Sequence, residues 1–338
     1  MPTHNIAVIG TGYIGGEHMK AIASHPRAQL HTICSTPRSQ PIAQNLQTTY
    51  HAQYITTDYH DVITNDAIDI VYLCTPNSQH VTQALAALEN GKHLFVEKPL
   101  AVTVADCQKI VDASKASDKK VMVGQSARFS ALFETIHHLV QSGTLGEACF
   151  VEGDYVHNLK PFLPLPGHEW WMDAKQEGQL PIVGGACHPL DLMRWIVGEI
   201  IEVSAYGTNK NIPNAPWYDT VIASLKFQSG AVGKCLVSCG AEIPYNLNFG
   251  YHGTKGSVIK NKLFVGGIPH VDDFSELPIP IHPEDHPCPQ VLDHFLTCIE
   301  TDQTPLINAT DGARSVAVCC AIIESIETGK PAQVFLDF

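Results

Sequence analysis

The chain has 338 residues, 44% hydrophobic and 16% charged, with 34 acidic against 21 basic side chains and a formal net charge of −13. That balance argues against general affinity for phosphate polymers, which rests on clustered cations, so no nucleic-acid partner is expected. The hydrophobic content excludes a disordered chain, and this length usually divides into about two domains.

No run of about 18 apolar residues occurs, so neither a membrane-spanning helix nor a membrane partner is expected. The N-terminus runs straight into Ile6-Ala7-Val8-Ile9 with no basic segment or cleavable apolar core, which gives a cytoplasmic expectation. The eleven cysteines are an odd number, and Cys34, Cys74, Cys319 and Cys320 sit inside apolar runs. They read as reduced, structural thiols.

In chain order, 6–9 reads as a buried strand, 10–16 as a glycine-rich turn and 17–24 as the start of a helix. Strands follow at 29–34, 54–55, 68–74, 93–96 and 120–124, separated by helical patterns at 41–47, 78–90 and 104–116. Strands alternating with helices of about ten residues imply right-handed crossovers and a doubly wound parallel sheet over residues 1–125. Beyond it, a helix at 132–141 gives way to strands at 147–156, 201–207, 220–227, 230–238, 247–252 and 256–259. Gln228-Ser229-Gly230 lies between two alternating runs as a hairpin turn, so the second sheet, within 126–338, is expected to be mainly antiparallel. Helices at 290–301 and 312–328 close the chain, after a proline-rich surface excursion at 266–289.

Gly10-Thr11-Gly12-Tyr13-Ile14-Gly15 follows a strand and opens a helix, the setting in which glycines admit a dinucleotide pyrophosphate. The second strand ends Cys34-Ser35-Thr36-Pro37-Arg38 with no acid to accept hydrogen bonds from an adenosine ribose. Ser35, Thr36 and Arg38 suit a 2′-phosphate, which favours NADP over NAD. Two further strands run into Thr75-Pro76-Asn77 with His80 and into Glu97-Lys98-Pro99, at carboxyl ends where open α/β sheets bind ligands.

Those two motifs, with Gly91-Lys92-His93, Arg128-Phe129, Gly143-Thr144-Leu145-Gly146-Glu147 and the run from Cys187 to Trp195, together resemble the Gfo/Idh/MocA family. The motifs cover most of the chain in order. The resemblance implies an α/β protein with an N-terminal Rossmann domain and a C-terminal α/β domain whose large open sheet commonly makes a subunit contact, hence a homodimer or homotetramer. It implies an NAD(P)-dependent oxidoreductase in which Thr75, Pro76, Asn77, His80, Glu97 and Lys98 face the cofactor, and Lys98 also touches the substrate hydroxyl. Pro99 matches a proline often preceded by a cis peptide.

Hydride transfer from a carbinol needs a base for the hydroxyl proton and a cation for the developing alkoxide. Lys98 and His188 are the candidates, with Asp191 three residues on as a group to orient the imidazole or meet substrate. Many relatives carry an aspartate four residues before the histidine; here that residue is Gly184. Tyr155 and His157, at a strand end, and Trp171 after Trp170 are candidate contacts for a sugar or polyol, since aromatic faces pack on sugar C–H faces. Arg128 is open between a ligand contact and an interdomain ion pair. The segment from His282 to Cys288 holds metal-capable residues, but its prolines oppose convergence and no metal is expected. Two alternatives stay open: glycoside cleavage through transient oxidation with retained NAD, and a non-catalytic dinucleotide-binding regulator.

Overall fold

The computed structural model describes residues 3–165, 167–173, 179–267, 272–281 and 286–338. The chain forms two compact units, one of residues 1–126 with 286–313 and 338, the other of 127–285 with 314–337.

In the first unit the apolar runs become parallel strands β1 (His4–Ile9), β2 (Ala28–Cys34), β3 (Tyr54–Thr56), β4 (Ile70–Leu73), β5 (His93–Val96) and β6 (Val121–Val123), in the order β3-β2-β1-β4-β5-β6. Every residue of β4 is buried, as expected of a strand covered on both faces. Helices α1 (Tyr13–Ser24), α2 (Gln40–Tyr50), α3 (Tyr59–Ile63), α4 (His80–Glu89) and α5 (Val104–Ala116) connect the strands. Helix α1 begins inside the glycine motif, four residues before the position read from the sequence. Helix α5 starts where Thr103 Oγ1 accepts from the Asp106 N–H at 3.1 Å and donates to the Asp106 carboxylate at 2.9 Å. The strand order reverses between β1 and β4, so the loops after these two strands lie side by side at the switch point.

The second unit holds a nine-stranded sheet of β7 (Ala148–Val156), β8 (Ile200–Thr208), β9 (Thr220–Phe227), β10 (Val232–Ser238), β11 (Asn246–Gly253), β12 (Gly256–Ile259), β13 (Lys262–Val265), β14 (Ser275–Glu276) and β15 (Ala332–Gln333). Neighbours are antiparallel except β7 and β10. The hairpin at 228–230 joins β9 to β10, with the Phe227 N–H donating to the Ala231 carbonyl. Helices α6 (Ala131–Gln141) and α7 (Cys187–Val197) belong to this unit. Helix α7 crosses β7 at Gly153, where a Cβ would lie 2.6 Å from Met193 and 2.7 Å from Pro189, so only glycine lets the helix this close.

Helix α8 (Cys288–Glu300) returns to the first unit, whereas the sequence reading kept all of 126–338 together. It buries Val291, Leu292, Phe295 and Leu296, with Phe295 against Tyr72 and Phe95. Helix α9 (Ala309–Thr328) begins in the first unit and continues in the second from Arg314. The eleven cysteines are free thiols. No described helix is long and apolar enough to cross a membrane.

Candidate active site

The carboxyl ends of β1 and β4 build the candidate cofactor site of the first unit. Gly10 has φ +115°, and a Cβ there would sit 2.2 Å from the Cys74 carbonyl oxygen. A Cβ on Gly15 would sit 2.3 Å from the carbonyl oxygen of Gly10, so these two glycines let turn, helix and strand close on one another. Gly12 is different: a Cβ there would meet nothing within 4 Å. Gly12 caps α1 with no side-chain hydrogen bond, and the first turn holds no acid. Open space over helix N–H groups, bounded by glycine backbone, fits a dinucleotide pyrophosphate. Ile14 is half-buried, and Tyr13 is 75% exposed with its ring edge-on to His286.

At the end of β2, Ser35 is buried and its hydroxyl donates to the Thr36 carbonyl at 3.2 Å. Thr36 Oγ1 accepts from the Ser39 N–H at 3.2 Å and donates to the Ser39 hydroxyl at 3.1 Å, capping a short turn. Thr36 and Arg38 are both exposed.

The motifs after β4 and β5 meet through side chains that turn inward. Thr75 donates to Gln83 at 2.7 Å, Pro76 is half-buried and Asn77 is buried. His80 is 1% exposed, its Nδ1 2.8 Å from the Pro99 carbonyl oxygen and its Nε2 3.0 Å from that of Thr75. Burial pushes this ring toward its neutral form against the pull of the two carbonyls. Glu97 is buried too: one carboxylate oxygen lies 2.8 Å from His18 Nε2, and the other accepts the Lys98 N–H at 3.1 Å. Burial opposes its ionisation, but His18 and Lys98 together outweigh that cost and hold the carboxyl below its ordinary range. Both His80 and Glu97, expected to face cofactor, therefore point into the protein. Lys98 is half-buried, and the Lys98-Pro99 peptide is cis.

In the second unit a widened helical turn, Pro181–Ala186, leads into α7 and presents His188, half-buried, at its start. The His188 ring stacks on Tyr155, with centroids 5.5 Å apart and planes 19° apart. Tyr155 lies flat over Gly185, where a Cβ would be 2.9 Å from the ring. Its hydroxyl meets His157 Nδ1 at 3.3 Å, and Tyr245 packs edge-on against both residues at 5.6 and 5.3 Å. Phe162 closes on His157 at 5.7 Å. Burial raises the Tyr155 hydroxyl well above its ordinary value and pushes Tyr245 up to about 12, so both phenols stay protonated at neutral pH. The cluster combines ring faces with hydrogen-bonding tips, the chemistry a polyhydroxylated ring requires.

Two expected ligand contacts lie elsewhere. Asp191 is 1% exposed and takes a two-pronged ion pair from Arg128, at 2.8 and 2.7 Å, with the Ser315 hydroxyl at 3.0 Å. This enclosed carboxylate supports the helix, and it gives Arg128 an ion-pair partner within its own unit. Arg128 further sits 5.7 Å over the Trp195 ring. Trp171 packs with Leu159, Leu180, Ile212 and Trp217, and its carbonyl accepts the Trp217 indole N–H at 2.7 Å. Apolar burial, not a ligand, accounts for its surroundings.

His18 and Tyr245 escaped the sequence reading. His18 had a usable signal: it interrupts the buried stripe of Gly15, Met19 and Ile22 on α1, and a polar group there requires a partner. Tyr245 stands in the irregular stretch before β11, with no periodicity to place it. Of the segment starting at His282, residues 282–285 lie outside the described residues. Among the described residues no three His, Cys, Asp or Glu side chains converge as metal ligands.

The model of an oxidoreductase family with an NAD-binding Rossmann fold matches residues 4–125, and that of the GFO/IDH/MocA C-terminal domain matches 133–259. The chain is 25% identical over 345 residues to scyllo-inositol 2-dehydrogenase (NAD(+)) of Bacillus subtilis, covering 97% of this chain and 95% of that protein. It is 24% identical over 283 residues to 1,5-anhydro-D-fructose reductase of Ensifer adhaerens, covering 82% and 83%. Among solved structures, levoglucosan dehydrogenase in complex with NADH and levoglucosan superposes with a TM-score of 0.91 at 23% identity, over 99% of this chain and 100% of that one.

Proposed function

Since this chain belongs to the Gfo/Idh/MocA family of oxidoreductases, with an NAD-binding Rossmann domain, we propose that it moves a hydride between nicotinamide and a secondary alcohol or ketone of a sugar, cyclitol or sugar derivative. The names of the relatives, an inositol dehydrogenase and an anhydrofructose reductase, support that substrate class. The observation that carries the reading is the glycine cradle at the uncapped start of α1, in the same unit as Lys98, which follows the end of β5 at Val96.

When bound, the nicotinamide supplies or accepts the hydride. The Lys98 ammonium stabilises negative charge developing on the carbinol oxygen. His188 exchanges the hydroxyl proton, a task for which imidazole is suited near neutral pH. Tyr155, Tyr245 and His157 bond the remaining hydroxyls and offer ring faces to the C–H surface. Gly184 contributes no side chain, so the proton passes through His188 without a neighbouring carboxylate at that place. The absence of an acid after β2, with Thr36 and Arg38 exposed there, supports use of NADP beside the NAD in the relatives' names. The outer face of the nine-stranded sheet, where Phe150, Tyr206, Ile222 and Val232 are exposed, supports a homodimer or homotetramer.

Fluorescence titration with NADH and NADPH, followed by a screen of inositols, levoglucosan and 1,5-anhydro-D-fructose with the better-bound cofactor, tests the reading. Saturable binding and a change in reduced-nicotinamide absorbance with at least one of these compounds are expected. Failure to bind either nucleotide, or cleavage of a glycoside without net nicotinamide reduction, would overturn it.

A further inference from the structure

Lys98 lies between two residues that are each held by a buried histidine. Glu97, before it, accepts the Lys98 backbone N–H at 3.1 Å, and the same carboxylate is fixed by His18 Nε2 at 2.8 Å. Pro99, after it, has its carbonyl oxygen 2.8 Å from His80 Nδ1. Neither imidazole reaches solvent: His18 is 2% and His80 1% exposed. His18 is further held edge-on by Tyr72 at 5.2 Å and Phe95 at 4.9 Å. The Glu97 carboxylate fits only because residue 124 is glycine, where a Cβ would lie 2.9 Å from the carboxylate carbon. The second nitrogen of His80 lies 3.0 Å from the Thr75 carbonyl oxygen, so the ring sits between the loop after β4 and the loop after β5 and in its neutral form donates to one of the two carbonyls at a time.

We propose that His18 and His80 are positioning residues that fix the backbone on either side of Lys98 and thereby aim its amine. This rests on the role given to Lys98 above. Burying a polar ring is costly unless its hydrogen bonds are made, and here one partner of each ring is a Lys98 neighbour. A side chain whose flanking peptides are each tied to the packed interior keeps its direction. Displacement of a reacting group by about 1 Å can cost on the order of 100-fold in rate.

The two nitrogens of each ring allow a test that separates aim from mere packing. His80→Asn places an amide near the Nδ1 position and keeps the bond to Pro99; His80→Gln places it near Nε2 and keeps only Thr75. Likewise His18→Gln retains a donor toward Glu97, and His18→Leu does not. Each variant is measured for thermal stability, NADH affinity, kcat and KM with the best compound of the screen. The rate of reductive methylation of Lys98 in the nucleotide-free protein is read by peptide mass spectrometry.

We expect His80→Gln and His18→Leu to lose roughly 10- to 100-fold in kcat with little change in NADH affinity, and to methylate Lys98 several-fold faster. His80→Asn and His18→Gln should recover most of the turnover and the slow methylation. Equal behaviour within each pair would overturn the inference, and if His18→Leu does not fold, the two His80 variants decide it alone. Lys98→Met separates the two claims: full turnover in that variant refutes the role of Lys98 itself, whereas an inactive Lys98→Met beside fully active His80→Gln refutes only the positioning.

Discussion

Adjacent glycines at 184 and 185 have different reasons to lack a side chain. A Cβ on Gly185 would press the Tyr155 ring at 2.9 Å and the Val237 methyl at 3.2 Å, whereas one on Gly184 meets only the end of Leu180 at 3.3 Å. Gly185→Ala should therefore tilt Tyr155 off His188 and lower polyol turnover about tenfold or more, since misplaced reacting groups are costly, with nucleotide affinity unchanged. Gly184→Ala should stay close to the parent in both assays; the reverse order would contradict the packing. Family-like motifs singled out Lys98 and His188, whose roles rest on the proposed function, and the side-by-side placement of Tyr155 and His157 follows from alternate residues of a strand sharing a face. Asp191 was assigned by its spacing from His188 and Trp171 by its residue type, and neither reveals which way a helix or loop turns its side chains. Arg128 and the Trp217 core claimed them instead.

Among elements, α7 depends on a buried charge network. Arg128 pairs with Asp191, Ser315 joins both Asp191 and Arg194, and Arg194 reaches Glu199 at 2.8 Å. Removing one member leaves the others buried and uncompensated, so Asp191→Ala should lose about 3–5 kcal/mol in urea unfolding; a loss below about 1 kcal/mol would show the pair to be dispensable. The start of β5 carries a pH effect. His93 opens β5, and its Nδ1 accepts the Lys120 N–H at 3.0 Å. Burial, then Lys119 and His4, push its pKa from the ordinary 6.5 down to about 4. The unfolded chain takes up that proton first, so the stability His93 contributes is complete above about pH 6.5 and is lost as the pH falls toward 4. His93→Asn, which keeps an acceptor but cannot be protonated in this range, should lose less stability between those pH values; an unchanged slope would contradict it. The parallel strands were legible as continuous apolar runs and the hairpin at 228–230 as turn chemistry. The short β13, β14 and β15 were not, because two to four residues carry no measurable periodicity.

For the whole molecule, the sequence reading drew one boundary, after residue 125, whereas the first unit also takes in 286–313. An amphipathic helix announces that it has an apolar face, not which body will cover it, and α8 could be read no further. The exposed outer sheet face leads to an expected light-scattering mass of two or four chains, falling to one on replacing Tyr206 and Ile222 together by lysine; a monomeric parent protein would refute the assembly. The measurement that bears most directly on function is hydride transfer by Lys98→Met beside the parent protein, with NADH affinity determined on both. The variant should bind NADH with affinity close to that of the parent and show almost no turnover of any sugar or cyclitol that the parent oxidises or reduces. Undiminished turnover by Lys98→Met would contradict the account.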